Sequence, residues 1–345
     1  MATGYVYNDV FLQHDLPGHP ESRRRLEVIM HQLDDSGVRR RLVPIQARPA
    51  TLEELERAHR RHYIEMVRRV AEAGGGHLDP DTYVTGASFD AARMAAGGVI
   101  EATMAVLEGR VANAFALVRP PGHHAMPGHG MGFCLFGNVA LASLAALSSL
   151  QGSDAARALI VDFDVHHGNG TQAMVQANPA ICFASTHQFP HYPGTGRLDE
   201  VMPAPGRATV VNIPLPAGAG DRAFEALYAR VLTPLARRFR PGIILVSAGY
   251  DAHWDDPLAG LALSLTGYAR LARSLVALAG ELCAGRIVFA LEGGYHHAVL
   301  AAGVLNTFYA LLGEPAVVDP LGSAPHPERD VSGLVASVCA LHNLT

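Results

Sequence analysis

The segment 158-ALIVDFDVHHGNG-170 begins as a buried β-strand and then places two aspartates and two histidines where apolar residues would continue. Strand alternation puts Asp162, Asp164 and His166 at i, i+2 and i+4 on one side, with Val161, Phe163 and Val165 on the other. Two carboxylates and an imidazole crowded together repel and lose hydration, and a divalent cation removes both costs. Asp251, just past another apolar strand, completes an Asp/His/Asp set with one coordination position open, the pattern of a catalytic rather than a closed structural zinc site. The competing reading is a helix N-terminus capped by aspartate and asparagine. His167 points the other way and reads as a hydrogen-bonded support.

Outward from this strand, helical and apolar patterns alternate. Strands are expected at 113–119, 157–165, 180–185, 208–215, 242–250 and 286–294, and helices near 87–108, 138–150, after Asn169, and at 221–239, 266–282 and 297–313. Continuous apolar strands separated by helices predict a mostly parallel sheet covered on both faces, a three-layer αβα architecture in the α/β class. The first 80 residues read as helices and loops around that sheet, with a capping box at Thr51 and Glu54. The stretch "AEAGGGHLDPDTYVTGAS" reads as a loop, and the tail after Pro315 as loop with a last short helix. With no internal repeat and no long linker, residues 1–345 read as a single domain.

The 345 residues are 49% hydrophobic with a net charge of −5 spread along the chain. Arginine clusters sit in mixed-charge helical contexts, which argues against nucleic-acid partners. The N-terminus "MATGYVYNDVFLQHD" has neither a basic nor an apolar targeting region, and no membrane-length apolar run occurs, so a soluble cytoplasmic protein is expected. Cys134, Cys182, Cys283 and Cys339 are scattered without a C-x-x-C pair and read as reduced thiols.

In open α/β sheets ligands gather at the carboxyl ends of strands, and polar residues recur there. "FALVR" leads into "PPGHHAMPGHGMGFC", a stiff Pro/Gly loop presenting His123 and His124. An imidazole in that position can take a proton from an attacking water and later protonate a leaving amine. His129, in the same loop, reads as structural. "IVFALE" leads into "GGY", where two glycines free Tyr295 to donate to an oxyanion. His14, His31, His59 and His77 carry no assignment.

Together "RPPGHHA…GFC", "DFDVHHGNGTQ", "YPGTG", "GYDAHWDDPLAG" and "LEGGY", in consistent order over residues 15 to 310, resemble the zinc-dependent histone deacetylase superfamily. Its members include bacterial class II-like deacetylases, acetylpolyamine amidohydrolases and acetoin-utilisation proteins. The resemblance implies the arginase/deacetylase fold with an eight-stranded parallel sheet. It implies one zinc per chain on Asp164, His166 and Asp251, His124 as general base, and His123 as its electrostatic or acid partner. Tyr295 then polarises the carbonyl, Asp162 bonds His123 and Asn169 stands beside His124. Class I relatives carry aspartate at that last position, and the uncharged asparagine should raise the basicity of His124 less. The resemblance further implies a channel walled by Gly132, Phe133, Tyr192 and Leu258, substrate contact by Asp79 or Asp81, and an acetate channel at Arg25. A structural potassium is implied at Asp162, Asp164, His166, Ser185 and Thr186.

The reaction this implies is hydrolysis of an N-acetyl amide to amine and acetate. Acetyl-lysine in a peptide, an acetylated polyamine and another small acetylated amine all remain open as substrates, with Asp79, Asp81, Asp255 and Asp256 as candidate rim acids. A homo-oligomer is compatible with the sequence. Two rivals are a binuclear manganese ureohydrolase, suggested by the D-A-H-x-D spacing of "DAHWD", and a non-catalytic binder of acetylated ligands.

Overall fold

The computed structural model describes residues 2–201 and 209–344; residue 208, the first of one expected strand, lies outside them. The strands are β1 (Thr3–Val6), β2 (Val43–Ile45), β3 (Gly75–His77), β4 (Tyr83–Thr85), β5 (Asn113–Ala116), β6 (Ala158–Asp162), β7 (Ile181–Gln188), β8 (Thr209–Leu215), β9 (Ile243–Ala248) and β10 (Ile287–Leu291). The helices are α1 (Arg24–Asp35), α2 (Leu52–Glu56), α3 (Arg61–Glu72), α4 (Ser88–Leu107), α5 (Asn138–Ser149), α6 (Asn169–Val175), α7 (Asp221–Leu227), α8 (Thr233–Phe239), α9 (Leu265–Cys283), α10 (His297–Leu311) and α11 (Ser332–His342).

Eight strands form one sheet in the order β2-β1-β5-β10-β9-β6-β7-β8. Every pairing in it is parallel, so "mostly parallel" sharpens to entirely parallel. The central strands β5, β6, β9 and β10 are buried along their whole length, which is why they are written in apolar residues on both faces. Helices α4 and α5 pack against each other, while α1, α10 and α9 form a second layer, giving the three-layer α/β fold.

The expectation for the first 80 residues is corrected: β1 and β2 extend the sheet at one edge. Both are only three or four residues long, and Pro44 in β2 is tolerated because an edge strand needs fewer N–H donors. The stretch read as a loop holds the antiparallel pair β3–β4. The expected helix at 221–239 is α7 and α8 joined without a break by a π-helical turn at Tyr228–Leu232, just ahead of Pro234 in α8, whose ring cannot donate into a regular α-helical ladder. The capping box of Thr51 and Glu54 is present at α2. Among the described residues no helix is long and apolar enough to cross a membrane.

Candidate active site

Strand β6 stops at Asp162, four residues before the alternation argument expected, because the chain bends away from the sheet there. Asp164 and His166 are therefore turn residues, yet they converge with Asp251, just beyond β9. One ligand atom from each of Asp164, His166 and Asp251 lies within 4.8 Å of the others, and all three residues are buried.

The polar contacts of this trio are asymmetric. Asp164 Oδ1 accepts from the His166 N–H at 2.9 Å and Oδ2 from the Gly293 N–H at 2.8 Å. Asp251 Oδ1 accepts from the Val165 N–H at 2.9 Å, but its buried Oδ2 makes no hydrogen bond. His166 Nδ1 stands 3.1 Å from Asp164 and 3.4 Å from Asp251. Burial alone would lower the pKa of His166, but Asp164 and Asp251 outweigh it and raise it to about 10. Carboxylates that hold a proton there would hold a cation in its place. An orphaned carboxylate oxygen beside a buried Asp/His pair fits a divalent metal, and the oxygen/nitrogen donor set suits zinc.

Two glycines make room for these carboxylates. A Cβ added at Gly249 would lie 2.1 Å from Asp164 Oδ2, and one at Gly293 would lie 2.0 Å from Asp251 Oδ2.

The tandem histidines have opposite electrostatics. His123 Nδ1 donates to Asp162 Oδ2 at 3.1 Å. Burial disfavours its charge, but Asp164 and Asp162 prevail and hold its pKa well above 6.5. His124 is held well below 6.5 by burial and then by His123 and His166. Its Nδ1 donates to Asn169 Oδ1 at 2.8 Å, and the Asn169 amide is oriented by Nδ2 facing the sulfurs of Met126 and Met131 at 3.4 Å. That contact leaves Nε2 of His124 as the nitrogen with a free lone pair. Neighbouring groups with pKa values pushed apart are the arrangement expected of an acid and a base.

A cavity of about 200 Å³ is lined by Asp81, His124, Gly132, Phe133, His166, His191, Tyr192, Leu258 and Tyr295. Gly132 has φ +55, and a Cβ there would come within 2.4 Å of the His124 ring. Phe133 adopts the left-handed region at φ 67, a strained conformation for a bulky residue, and its N–H donates to Thr82 Oγ1 at 3.0 Å. Its ring meets Tyr295 edge-on at 5.8 Å, and Tyr192 meets His124 in the same way at 5.2 Å. Burial, opposed by Arg25, keeps the Tyr295 phenol well above pKa 10 and hence protonated.

Other expected residues fall as follows. Asp81 lines the cavity, whereas Asp79 Oδ1 accepts from the N–H groups of Asp81 and Thr82 and shapes the turn. Arg25 is fully buried and bonds Glu21 and the carbonyl oxygens of Glu292 and Gly294; its guanidinium lies 5.1 Å from the Tyr295 ring. Ser185 pairs with Asp162 in the β6–β7 register, and Thr186 Oγ1 donates to the Asp162 carbonyl at 3.4 Å. His167 bonds Thr195 and Gln172, as a support should. As rim acids, Asp255 and Asp256 are corrected: Asp255 pairs with His296 at 3.4 Å outside the cavity lining, and Asp256 is buried.

Four residues escaped the sequence reading. Glu292 accepts from the N–H groups of Gly122 and His123 at 2.7 and 3.1 Å, pinning the tandem-histidine loop. Glu21 and Arg119 form a buried ion pair. His191 stacks on His166 with ring centres 5.2 Å apart. Glu292 carried a usable signal, since a carboxylate ending "IVFALE" repeats the pattern of Asp162 ending "ALIVD".

Comparison with known proteins follows this geometry. The Histone deacetylase domain family matches residues 19–311. The chain is 42% identical over 298 residues to a probable deacetylase of Archaeoglobus fulgidus, covering 86% of this chain and 82% of that protein. It is 39% identical over 306 residues to a histone deacetylase-like amidohydrolase of Pseudomonas aeruginosa, covering 88% and 78%. The crystal structure of the HDA15 HD domain superposes with a TM-score of 0.87 at 35% identity, covering 99% of this chain and 95% of that one.

Proposed function

Because the chain belongs to the histone deacetylase family, we propose that it is a zinc-dependent amidohydrolase that removes acetyl groups from acetyl-lysine side chains. The observation that carries this is the buried Asp164–His166–Asp251 cluster, in which Asp251 Oδ2 makes no hydrogen bond and His166 lines a cavity that also presents His124 and Tyr295. Residues 1–345 serve as one catalytic domain in this reading.

Asp164, His166 and Asp251 would hold the zinc. When bound, zinc supplies Lewis-acid polarisation of the amide carbonyl and lowers the pKa of water toward neutrality. His124, neutral with Nε2 free, takes the proton of the attacking water. The Tyr295 phenol donates to the carbonyl oxygen as negative charge develops on it. The histidine that took this proton then returns it to the departing nitrogen as the carbon–nitrogen bond breaks, and His123, hydrogen-bonded to Asp162, supplies positive charge beside it. Each proton-transfer group contributes about 10²–10⁴-fold. Phe133 and Tyr192 wall the alkyl chain, Gly132 gives His124 space, and Asp81 meets the substrate at the cavity. A structural potassium near Asp162, Asp164, His166, Ser185 and Thr186 belongs to the same reading, as does Arg25 as a neighbour of the acetate.

Among the described residues one carboxylate, Asp81, lines the cavity. A protonated polyamine would call for more acid along its path, so the uncharged chain of acetyl-lysine is the better match. The manganese ureohydrolase is disfavoured, since only Asp251 of "DAHWD" joins a ligand-forming group among the described residues. Parallel hydrolysis of an acetyl-lysine peptide and N-acetylputrescine, with metal quantified on the same sample, tests the proposal. One zinc and preference for the peptide are expected. Preference for the diamine would make it a polyamine enzyme, two manganese ions would overturn the mechanism, and turnover by His124→Ala equal to wild type would remove His124 as base.

A further inference from the structure

One buried carboxylate beside the cavity has no role in the reaction just described. Asp256, 6% exposed, lies five positions past Asp251. Its Oδ1 accepts from the Leu258 N–H at 3.0 Å, and its Oδ2 from the N–H groups of Tyr295 at 2.8 Å and His296 at 3.2 Å. Among the described residues no cation lies within ion-pair range of it. A buried carboxyl held only by backbone donors is costly to ionise, and burial with the nearby Asp251 pushes its pKa up to about 7; a shorter hydroxyl or amide cap would serve the Leu258 turn alone.

The three donors belong to two segments that wall the same cavity. Leu258 is held on its other side as well, because its carbonyl accepts from His191 Nε2 at 3.0 Å. Tyr295 follows Gly293 and Gly294, the latter at φ +116, so its backbone enters through the most permissive stretch of the site. Arg25 and Phe133 touch the Tyr295 ring, whereas Asp256 fixes the backbone from which that ring departs.

Resting on the deacetylase reading, we propose that Asp256 is a positioning residue that ties the Leu258 wall to Tyr295 and so sets the reach of the phenol. The test is a double-mutant cycle in the zinc-loaded full chain with Asp256→Asn, Tyr295→Phe and both together. An asparagine must turn its amide nitrogen toward at least one of the three N–H groups. Misplacement near 1 Å costs up to about 10²-fold. Asp256→Asn is therefore expected to lower kcat by about 10- to 100-fold with little change in KM, and to have almost no effect once Tyr295→Phe is present. Equal losses in both backgrounds would show a general structural role and overturn the proposal.

The same cycle read by calorimetric affinity for an alkyl hydroxamate needs no turnover. If wild type hydrolyses no acetyl amide, the deacetylase reading fails while this arm still reports the coupling. Asp256→Ser, smaller and still an acceptor, passes through both cycles should Asp256→Asn fail to fold.

Discussion

Two buried clusters of charge lie at the carboxyl edge of the sheet, and they are balanced in opposite ways. In the first, Asp162, Asp164 and Asp251 surround His123 and His166, and one carboxylate oxygen is left without a hydrogen bond. In the second, Glu21 accepts from both Arg25 and Arg119, and Arg119 also donates to the carbonyls of Phe11 at 3.0 Å and His14 at 2.8 Å. Burial would raise the pKa of Glu21, yet the two guanidinium groups bring it to about 2. The second cluster is closed on itself and acts as scaffold. The first has acceptor capacity to spare, which marks a place for something the chain does not itself supply.

The largest effect that could break this contrast is on the first cluster. Asp251→Asn keeps the acceptor for the Val165 N–H but removes charge. We expect zinc to be lost and turnover to fall at least about 10²–10³-fold, the scale for losing one transition-state electrostatic partner. Stability without metal should hold or rise, because Asp164 is relieved of a like charge; a large drop in the urea midpoint would show that the cluster is scaffold after all. Arg119→Met should do the reverse. Leaving Glu21 short of a buried partner costs about 3–5 kcal/mol, read by urea unfolding, with zinc content per folded molecule unchanged.

Metal removal is the next step down in size. Zinc at 100 times its dissociation constant should add about 2.7 kcal/mol of stability, and Asp251→Asn should abolish that increment. The last effect is nil at neutral pH and concerns His14, stacked on Tyr83 at 4.3 Å. Burial, with Glu21 opposing and Arg119 adding, lowers its pKa to about 3. The unfolded chain therefore binds this proton first, so the contribution is complete above pH 6.5 and is lost as pH falls from 6.5 to about 3. His14→Asn should flatten the stability profile across that window by at most about 1.4 kcal/mol per pH unit.

Legibility in the sequence follows the same division. Strands β5, β6, β9 and β10 were readable because burial on both faces writes them as unbroken apolar runs. The edge strands β1 and β2 are too short to show a period, and "TGYV" and "VPI" carry a glycine and a proline that read as turns. In the site, Asp162, Asp164, His166 and Asp251 stand out because polar residues ending apolar strands break an expectation, His123 and His124 because they open the stiff loop after one, and Asn169 only through the family resemblance. Glu21 and Asp256 break none, since they sit in stretches that look like solvated loop; Arg119 ends the apolar run "FALVR", but nothing local announces Glu21 as its partner, so pairing and burial emerge only on folding.

The crowding of Gly249 and Gly293 against Asp164 and Asp251 has a consequence for reading other genomes. Neither glycine has a side chain to contribute, yet a single methyl at either position would overlap a carboxylate of the proposed metal site. A homologue that keeps Asp164, His166 and Asp251 but carries alanine at 249 or 293 should be counted among those that have lost the reaction, and an inventory of retained ligands would misfile it.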